Sequence, residues 1–343
     1  MSIPTDPTVI AQRAQRALQL IRSVGIDRVQ ASLQNTHEVA TKAIVGGSLP
    51  EDIDPVRRSI AIGQRLLTNL DKEMPEAWGP DELQGLESIV VTVGRPALLI
   101  RSDRFDLPPP TWQVLEAYRD AIQANFASVG RIELAGHPSL SWVGTGFMVA
   151  PGVLATNRHV IQEFAQQRSP GHWIMDPGIS ARVDFAEEIG TIVPRESPVG
   201  GIIAVHNSLD VALLEVASSV APALPLDGGG VPLGPGRTSY VIGYPALDSR
   251  RNDPAVMQSI FGNVYDVKRL QPGLLNDWSA SMQAYLHDCS TLGGNSGSCL
   301  VDLATGVVTG VHFGGRYLEN NWAISTRDLA GSGYLQKLGA RFV

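Results

Sequence analysis

Cysteine, charge and long apolar stretches are all scarce in this sequence. Only two of its 343 residues are cysteines, too few for a disulfide scaffold, which favours a reducing compartment. Charged residues make up 18% of the chain, and 27 basic against 34 acidic residues give a net charge of −7 without an obvious basic cluster. A surface for nucleic acid is therefore not expected. Because no apolar run reaches about 18 residues, a membrane-spanning helix is not expected either.

Signals for export and for metal binding are missing as well. The first residues, MSIPTDPTVIAQRAQRAL, contain no apolar core of signal-peptide type and no small-residue cleavage site. The two cysteines have no second Cys/His pair at zinc spacing. We therefore expect a cytoplasmic protein that uses neither a metal nor a cofactor.

Apolar residues, glycine and proline are present in globular proportion. Hydrophobic residues make up 43% of the chain, which argues against disorder. With 35 Gly and 23 Pro, about one residue in six interrupts regular structure, which favours a loop-rich or β-rich body. The length allows about two domains.

Residues 1–80 have a helical pattern. Three apolar stretches follow one another, each ended by Gly or Pro, and in the first of them apolar residues recur at spacings of three and four. The first stretch has an apolar stripe formed by Val9, Ile10, Ala14, Ala17, Leu18, Ile21 and Val24. Since three helices of this length can form a small bundle, we assign residues 1–80 to an α-helical domain.

The pattern changes after residue 80. Residues 81–127 form a connection, in which 87–100 are rich in β-branched side chains and 111–126 are helical in pattern. From 128 to 343, short apolar runs alternate with Gly, Pro and Asp. Many short strands separated by turns predict a sandwich or a barrel.

Three motifs in the β-rich part contain candidate catalytic residues. TNRHV places His159 after a strand, LDVALL places Asp210 before one, and GGNSGS places Ser296 in a glycine-rich turn. Singly, each has a structural explanation: a satisfied histidine, an Asp in a turn, a plain Gly/Ser loop. Together they follow the chain order His, Asp, Ser of the chymotrypsin-type triad. This order favours a nucleophilic serine.

With GTGF at 144–147, these motifs resemble the chymotrypsin-like (trypsin-like) serine peptidases, in particular bacterial glutamyl endopeptidases of the V8 type. The resemblance covers residues 128–335. It implies a mainly β fold with a double antiparallel β-barrel, the first barrel at 128–225 and the second at 235–330. Here that peptidase domain, 128–343, follows the α-helical domain.

The resemblance also implies a role for each motif residue. Ser296 would be the nucleophile, His159 the general base, and Asp210 the residue that orients the imidazole. The N–H groups of Gly294 and Ser296 would form the oxyanion hole. The implied activity is hydrolysis of peptide bonds in a protein or peptide substrate through an acyl-enzyme.

Two further positions match the glutamyl branch, in which a Thr and a His bind the P1 carboxylate of the substrate. They are Thr291 and His312, and the adjoining Phe313 and Gly314 are additional candidate substrate contacts. A hydroxyl and an imidazole can donate to a carboxylate without a permanent buried charge. The alternatives are a turn residue at 291 and a histidine that only supports the barrel. In the V8 type the free amino terminus is implicated in this pocket. Here a long region precedes the barrel, so Arg316 is a candidate substitute, with an exposed loop Arg as the alternative.

The two cysteines, Cys289 and Cys299, flank Ser296. Their positions do not match the disulfides common in secreted relatives. We interpret them as a buried reduced pair, with a bridge across neighbouring strands as the alternative that their distance decides.

The N-terminal region exceeds what catalysis requires. Three roles are open for residues 1–80: they recruit the peptidase to an adaptor or sensor protein, cover its cleft until a trigger arrives, or only pack on the barrels. Residues 87–100 either add a strand or strap to a barrel or lie in the cleft as an inhibitory segment. Intracellular bacterial peptidases of this branch resemble the layout, and some belong to defence systems.

Two other functions are compatible with the motifs. One is a catalytically silent peptide-binding scaffold of the same fold. The other is an esterase that uses the same triad.

Overall fold

The chain divides into two compact units. The first comprises Met1–Pro96, Leu107–Ala117 and Ser249–Val264, and the second comprises Ala97–Asp106, Tyr118–Asp248 and Tyr265–Val343. The structure, a computed structural model, describes residues 95–217, 221–247, 260–315, 320–331 and 333–343, together with the single residues Leu18, Ile21, Val29, Ile62, Arg65 and Met257.

The first unit contains the predicted helical region. Its described residues between 1 and 80 are all helical: Leu18, Ile21, Val29, Ile62 and Arg65. Since the rest of 1–80 lies outside the described residues, the three-helix bundle stays a prediction. The unit also contains most of the 3₁₀ segment Pro110–Tyr118, where Trp112 and Leu115 are buried.

Strands dominate the second unit. In the described part of the chain they are β1 (Leu98–Arg101), β2 (Arg104–Phe105), β3 (Val129–Ala135), β4 (Trp142–Ala150), β5 (Val153–Thr156), β6 (Ala165–Ser169), β7 (His172–Met175), β8 (Ser180–Asp184), β9 (Glu196–Pro198), β10 (Gly201–Val205), β11 (Ala212–Glu215), β12 (Thr238–Gly243), β13 (Arg269–Ser279), β14 (Ala284–His287), β15 (Cys299–Asp302), β16 (Val308–Gly315) and β17 (Asn321–Ser325). The helices there are short: α1 (Arg119–Ala124), the 3₁₀ turn Phe126–Ser128, α2 (Arg158–Ile161), α3 (Thr326–Ala330) and α4 (Tyr334–Lys337). The helical pattern at 111–126 is thus divided between a 3₁₀ segment and α1.

The first sheet has the strand order β10-β11-β5-β4-β3-β8-β9, and all neighbouring strands are antiparallel. Apolar side chains from its strands, among them Met148, Leu154, Val183 and Leu214, fill its interior together with Phe164 from the turn before β6. The hairpin of β6 and β7 lies apart from this sheet as a two-stranded ribbon.

A bend between β9 and β10 brings the two ends of this sheet together. Val199 N donates to Ala181 O on β8, and Gly200 N donates to Glu215 O on β11, both at 2.9 Å. One continuous segment therefore leaves one end of the sheet and joins the other, so the sheet curls around its core.

The second sheet closes into a six-stranded barrel. Its order is β12-β15-β16-β17-β14-β13, and β13 pairs back with β12. Pairing removes the free edges that an open sheet exposes. The core consists of Val241, Leu275, Tyr285, Cys289, Leu300 and Ala323.

An additional hairpin extends this barrel at β13. Strand β1 pairs with β13 through Leu98 opposite Leu270, and β2 follows as the outer strand. Residues 87–100 were expected either to add a strand to a barrel or to lie in the cleft. Within that range, Leu98–Arg101 adds a strand. Residues 87–94 lie outside the described residues.

Two curled antiparallel sheets with little helix confirm the prediction of a mainly β fold with a chymotrypsin-like double barrel. No helix in the described ranges has both the length and the apolar character needed to cross a membrane.

Candidate active site

The first candidate residue, His159, lies in a short helix at the end of a strand. The chain leaves β5 at Thr156, passes through the extended residue Asn157, and enters α2, whose second residue is His159. Its side chain is 44% exposed, so the imidazole is accessible to a substrate.

Asp210 lies against this imidazole. The distance from His159 Nδ1 to Asp210 Oδ2 is 2.6 Å, and the His159 main-chain N–H donates to Asp210 Oδ1 at 3.0 Å. Burial alone would raise the pKa of Asp210, but the bonds to His159 outweigh it, and the pKa lies below its ordinary value. Because Asp210 is then an ionised acceptor, Nδ1 of His159 carries the proton and Nε2 is left as the base.

Two neighbours of His159 hold the turn that carries Asp210. Asn157 Nδ2 donates to the Asp210 carbonyl at 2.8 Å. Arg158 Nη1 donates to the carbonyls of His206 and Asn207 at 3.1 and 3.2 Å. The motif TNRHV therefore contributes three side chains to the site, whereas the sequence assigned a role only to its histidine.

In the loop around Ser296, each main-chain carbonyl from residue 293 to residue 296 accepts a hydrogen bond. The hydrogen bonds are Gly293 O from Ala246 N (2.6 Å), Gly294 O from Thr145 Oγ1 (2.8 Å), Asn295 O from Ser298 N (2.9 Å) and Ser296 O from Thr145 N (2.9 Å). Gly294 has φ +85°, and Asn295 N donates to Leu292 O at 3.2 Å, as in a type II turn that requires glycine at its third position.

The N–H groups of this loop divide into two kinds. Those of Asn295, Gly297 and Ser298 donate to carbonyls of the protein. Within the part of the chain that the structure describes, those of Gly294 and Ser296 have no protein acceptor. Since main-chain donors are normally paired, two free neighbouring donors beside a serine hydroxyl are suited to bind an anion.

The Ser296 loop lies next to the helix that carries His159. A Cβ placed on Gly144 would lie 3.0 Å from Ser296 O and 2.9 Å from a methyl of Val160, the residue after His159. The structure thus brings the loop of Ser296, from the second barrel, against the His159 and Asp210 elements of the first.

His312 lies behind the same loop and is fully buried. Its N–H donates to Ser298 O, and its carbonyl accepts from Gly297 N, both at 2.8 Å. His287 Nε2 faces His312 Nδ1 at 3.1 Å. Burial, with a smaller effect of the His159 charge, lowers the pKa of His312 to about 3. His312 is therefore neutral at physiological pH.

The remaining predicted substrate contacts are partly accessible. Thr291, Phe313 and Gly314 are all half-buried. Beyond Val311, β16 pairs only with β17 among the described strands, so its edge at Phe313–Gly315 can accept an extended peptide as an added strand. Arg316 lies outside the described residues.

Asp288 is the acid closest in sequence to this region. Its carboxylate Oδ1 accepts from Leu274 N on β13 at 2.7 Å, and the residue is buried. This bond stabilises the barrel. The sequence alone did not indicate where this carboxylate would bond.

One group of acids has metal-like spacing among the described residues. Carboxylate oxygens of Glu133, Asp184 and Glu187 lie within 4.8 Å of one another. The guanidinium groups of Arg131 and Arg182 contact Glu133 directly. Arg131 also pairs with Glu187, and Asp184 accepts from the main-chain N–H groups of Ala186 and Arg195. These bonds explain the arrangement as a network of ion pairs and hydrogen bonds.

Both cysteines are buried and unbridged, as interpreted from the sequence. Burial raises the pKa of the Cys299 thiol to about 12, and it is the thiolate that reacts. We expect neither Cys289 nor Cys299 to be alkylated by iodoacetamide in the native protein at neutral pH, and both to react in denaturant. Mass spectrometry measures the labelled fraction, and rapid labelling of the native protein would contradict this prediction.

Comparisons with known proteins agree with this geometry. Residues 144–311 match the family model of the trypsin-like peptidase domain, a span that includes His159, Asp210 and Ser296. The chain is 27% identical to a probable serine protease of Lysobacter enzymogenes, over 93% of this chain and 92% of that protein.

Two solved structures are also similar. The serine endoprotease of Yersinia pestis is 18% identical, with a TM-score of 0.45 over 64% of this chain and 66% of that chain. A protease of M. tuberculosis in its active form is 22% identical, with a TM-score of 0.42 over 64% of this chain and 84% of that chain. The family model and the Lysobacter relative support the trypsin-like part of the predicted resemblance, while its glutamyl-endopeptidase branch stays a prediction.

Proposed function

We propose that this chain, whose residues 144–311 match the trypsin-like peptidase domain, is a serine endopeptidase. The observation that carries the proposal is the pair of free N–H groups at Gly294 and Ser296, in a loop whose carbonyls are all bound. A loop that only connected two strands would have no need to leave these donors unpaired.

The proposed reaction assigns one role to each of the three side chains. Ser296 Oγ attacks the carbonyl carbon of the scissile bond while its proton passes to Nε2 of His159. The resulting oxyanion accepts from the N–H groups of Gly294 and Ser296. His159 then gives the proton to the leaving amine, and Asp210 stabilises the imidazolium meanwhile. Water, deprotonated by the same imidazole, releases the acyl group and restores Ser296.

A fluorophosphonate probe tests the nucleophile. We expect the full chain to be labelled and Ser296→Ala to lose all labelling, because the probe reacts only with an activated serine. Ser281→Ala, which removes an exposed hydroxyl from the β13–β14 turn, is the matched control and should label like the wild type.

The other outcomes of this test separate the rival functions. An unlabelled wild-type chain would favour the silent peptide-binding scaffold and overturn the proposal. Labelling combined with turnover of simple esters, but of no peptide in a proteome-derived library, would favour the esterase.

We further propose that the enzyme prefers an acidic P1 residue. With His287 Nε2 as the donor, His312 Nδ1 is the acceptor in their 3.1 Å bond, and the proton of the neutral His312 ring is on Nε2. That N–H, with the hydroxyl of Thr291, can donate to a P1 carboxylate. The buried acid nearest in sequence, Asp288, is bonded to the main chain of β13, so it does not provide the negative charge that a basic P1 residue would need.

A further inference from the structure

Thr145 is a side chain of the first barrel whose polar groups reach the nucleophile loop of the second barrel. It lies on β4 and is completely buried. Its hydroxyl donates to Gly294 O at 2.8 Å and accepts from Tyr244 N at 3.3 Å. Its main-chain N–H donates to Ser296 O at 2.9 Å.

These contacts fix two peptide planes around the free donors. The carbonyl of Gly294 belongs to the peptide between the two oxyanion donors, and the carbonyl of Ser296 belongs to the peptide that follows them. Because a peptide group is a rigid plane, the planes that carry the Gly294 and Ser296 N–H groups can turn only about the Cα atoms that join them to these held planes. Holding the two carbonyls therefore restricts the direction of both donors. An oxyanion hole works only when its donors are held in place before the reaction.

A second, independent contact holds the loop from within its own barrel. Gln271 Nε2 donates to Asn295 Oδ1 at 2.9 Å, and both residues are fully buried. The loop therefore keeps this anchor, together with the main-chain bonds to Gly293 O and Ser296 O, when the Thr145 hydroxyl is removed. Loss of that hydroxyl should disturb the donors without unfolding the loop.

We infer that Thr145 is a positioning residue for the oxyanion hole, a role that rests on the proposed function of Ser296 as nucleophile. Through its hydroxyl, the first barrel holds the reactive loop of the second. Nothing in the motif GTGF requires a hydroxyl at this position for folding of the strand, since the side chain bonds to the loop and to Tyr244 and to no neighbouring residue of β4.

Three variants of the full chain test this role: Thr145→Val, Thr145→Ser and Thr309→Val. Thr309 is also fully buried and donates to a main-chain carbonyl, Leu300 O, at 3.2 Å, so it is the matched control outside the loop. The measurements are the second-order rate constant of fluorophosphonate labelling and kcat and KM on a peptide substrate.

We expect Thr145→Val to lower the labelling rate and kcat about 10–100-fold with little change in KM, somewhat less than the loss of a donor itself. Thr145→Ser, which keeps the hydroxyl, should stay near the wild-type rate, as should Thr309→Val. A Thr145→Val rate equal to that of the wild type, or equal losses in both valine variants, would overturn the positioning role. An unlabelled wild-type chain would instead refute the proposed function, and the positioning role with it.

Discussion

Asp210→Asn is expected to lower kcat about 10⁴-fold, the size of effect seen when a triad carboxylate is made an amide. In this site the two carboxylate oxygens face different donors, the His159 main-chain N–H at 3.0 Å and Nδ1 at 2.6 Å. An asparagine has only one oxygen. If that oxygen keeps the main-chain bond, the amide NH₂ faces Nδ1, which must then become the acceptor. The imidazole proton moves to Nε2, and His159 can no longer take a proton from Ser296.

The substrate contacts are separate from this change, so KM should remain near its wild-type value. Asp277→Asn, on the exposed end of β13, is the matched control and should keep full activity. Steady-state kinetics on a cleaved peptide measures both variants. A loss of less than tenfold for Asp210→Asn would show that His159 is not oriented by this carboxylate.

The candidate residues of the site were predictable because each of them lies in a short sequence motif. A strand followed by His159, an Asp before an apolar strand and a glycine-rich turn at Ser296 are each visible within a few residues of sequence. The resemblance of these motifs to the chymotrypsin-like peptidases then implied both a double barrel, which the fold confirms, and a set of catalytic roles, which remain a prediction.

The groups that hold those residues were not predictable in the same way. Thr145 and Gly294 are 149 positions apart in the chain, and only the docking of two barrels brings them together. The position of the hairpin of β1 and β2 also depends on a distant partner, because Leu98 pairs with Leu270 on β13. Apolar spacing indicates that a strand forms, but the register and partner of the strand depend on contacts across the whole chain.

The orientation of buried polar side chains was a further limit. Residue type alone allowed Asp288 to face the pocket, yet its carboxylate bonds to Leu274 N. His287, the last residue of an apolar strand, was not predicted to be part of the site, although it contacts His312. The sequence shows two histidines, His287 and His312, on either side of Ser296. It does not show whether they touch, because the distance between them depends on how the barrel closes.

His312→Ala is expected to lower kcat/KM for peptides with Glu at P1 about 10–150-fold, the range for losing a hydrogen bond to a charged group. For peptides with Leu at P1, the same variant should change kcat/KM only a few-fold, because an apolar side chain gains nothing from the imidazole. His172→Ala, at the exposed first residue of β7 in the separate two-stranded ribbon, is the matched control and should leave both substrates unaffected.

The pH dependence of the selectivity for Glu over Leu distinguishes titration of His312 from titration of the P1 carboxyl of the substrate. Burial lowers the pKa of His312 to about 3, below the ordinary value of 6.5, so the ring stays neutral as the pH falls from 8 to 5. Selectivity for Glu over Leu should therefore be constant across that range and decline only near the pKa of the substrate carboxyl, about 4.3. A decline centred near pH 6.5 would mean that His312 titrates like an exposed histidine. Equal losses on both substrates in His312→Ala would remove the acidic pocket while leaving the peptidase proposal intact.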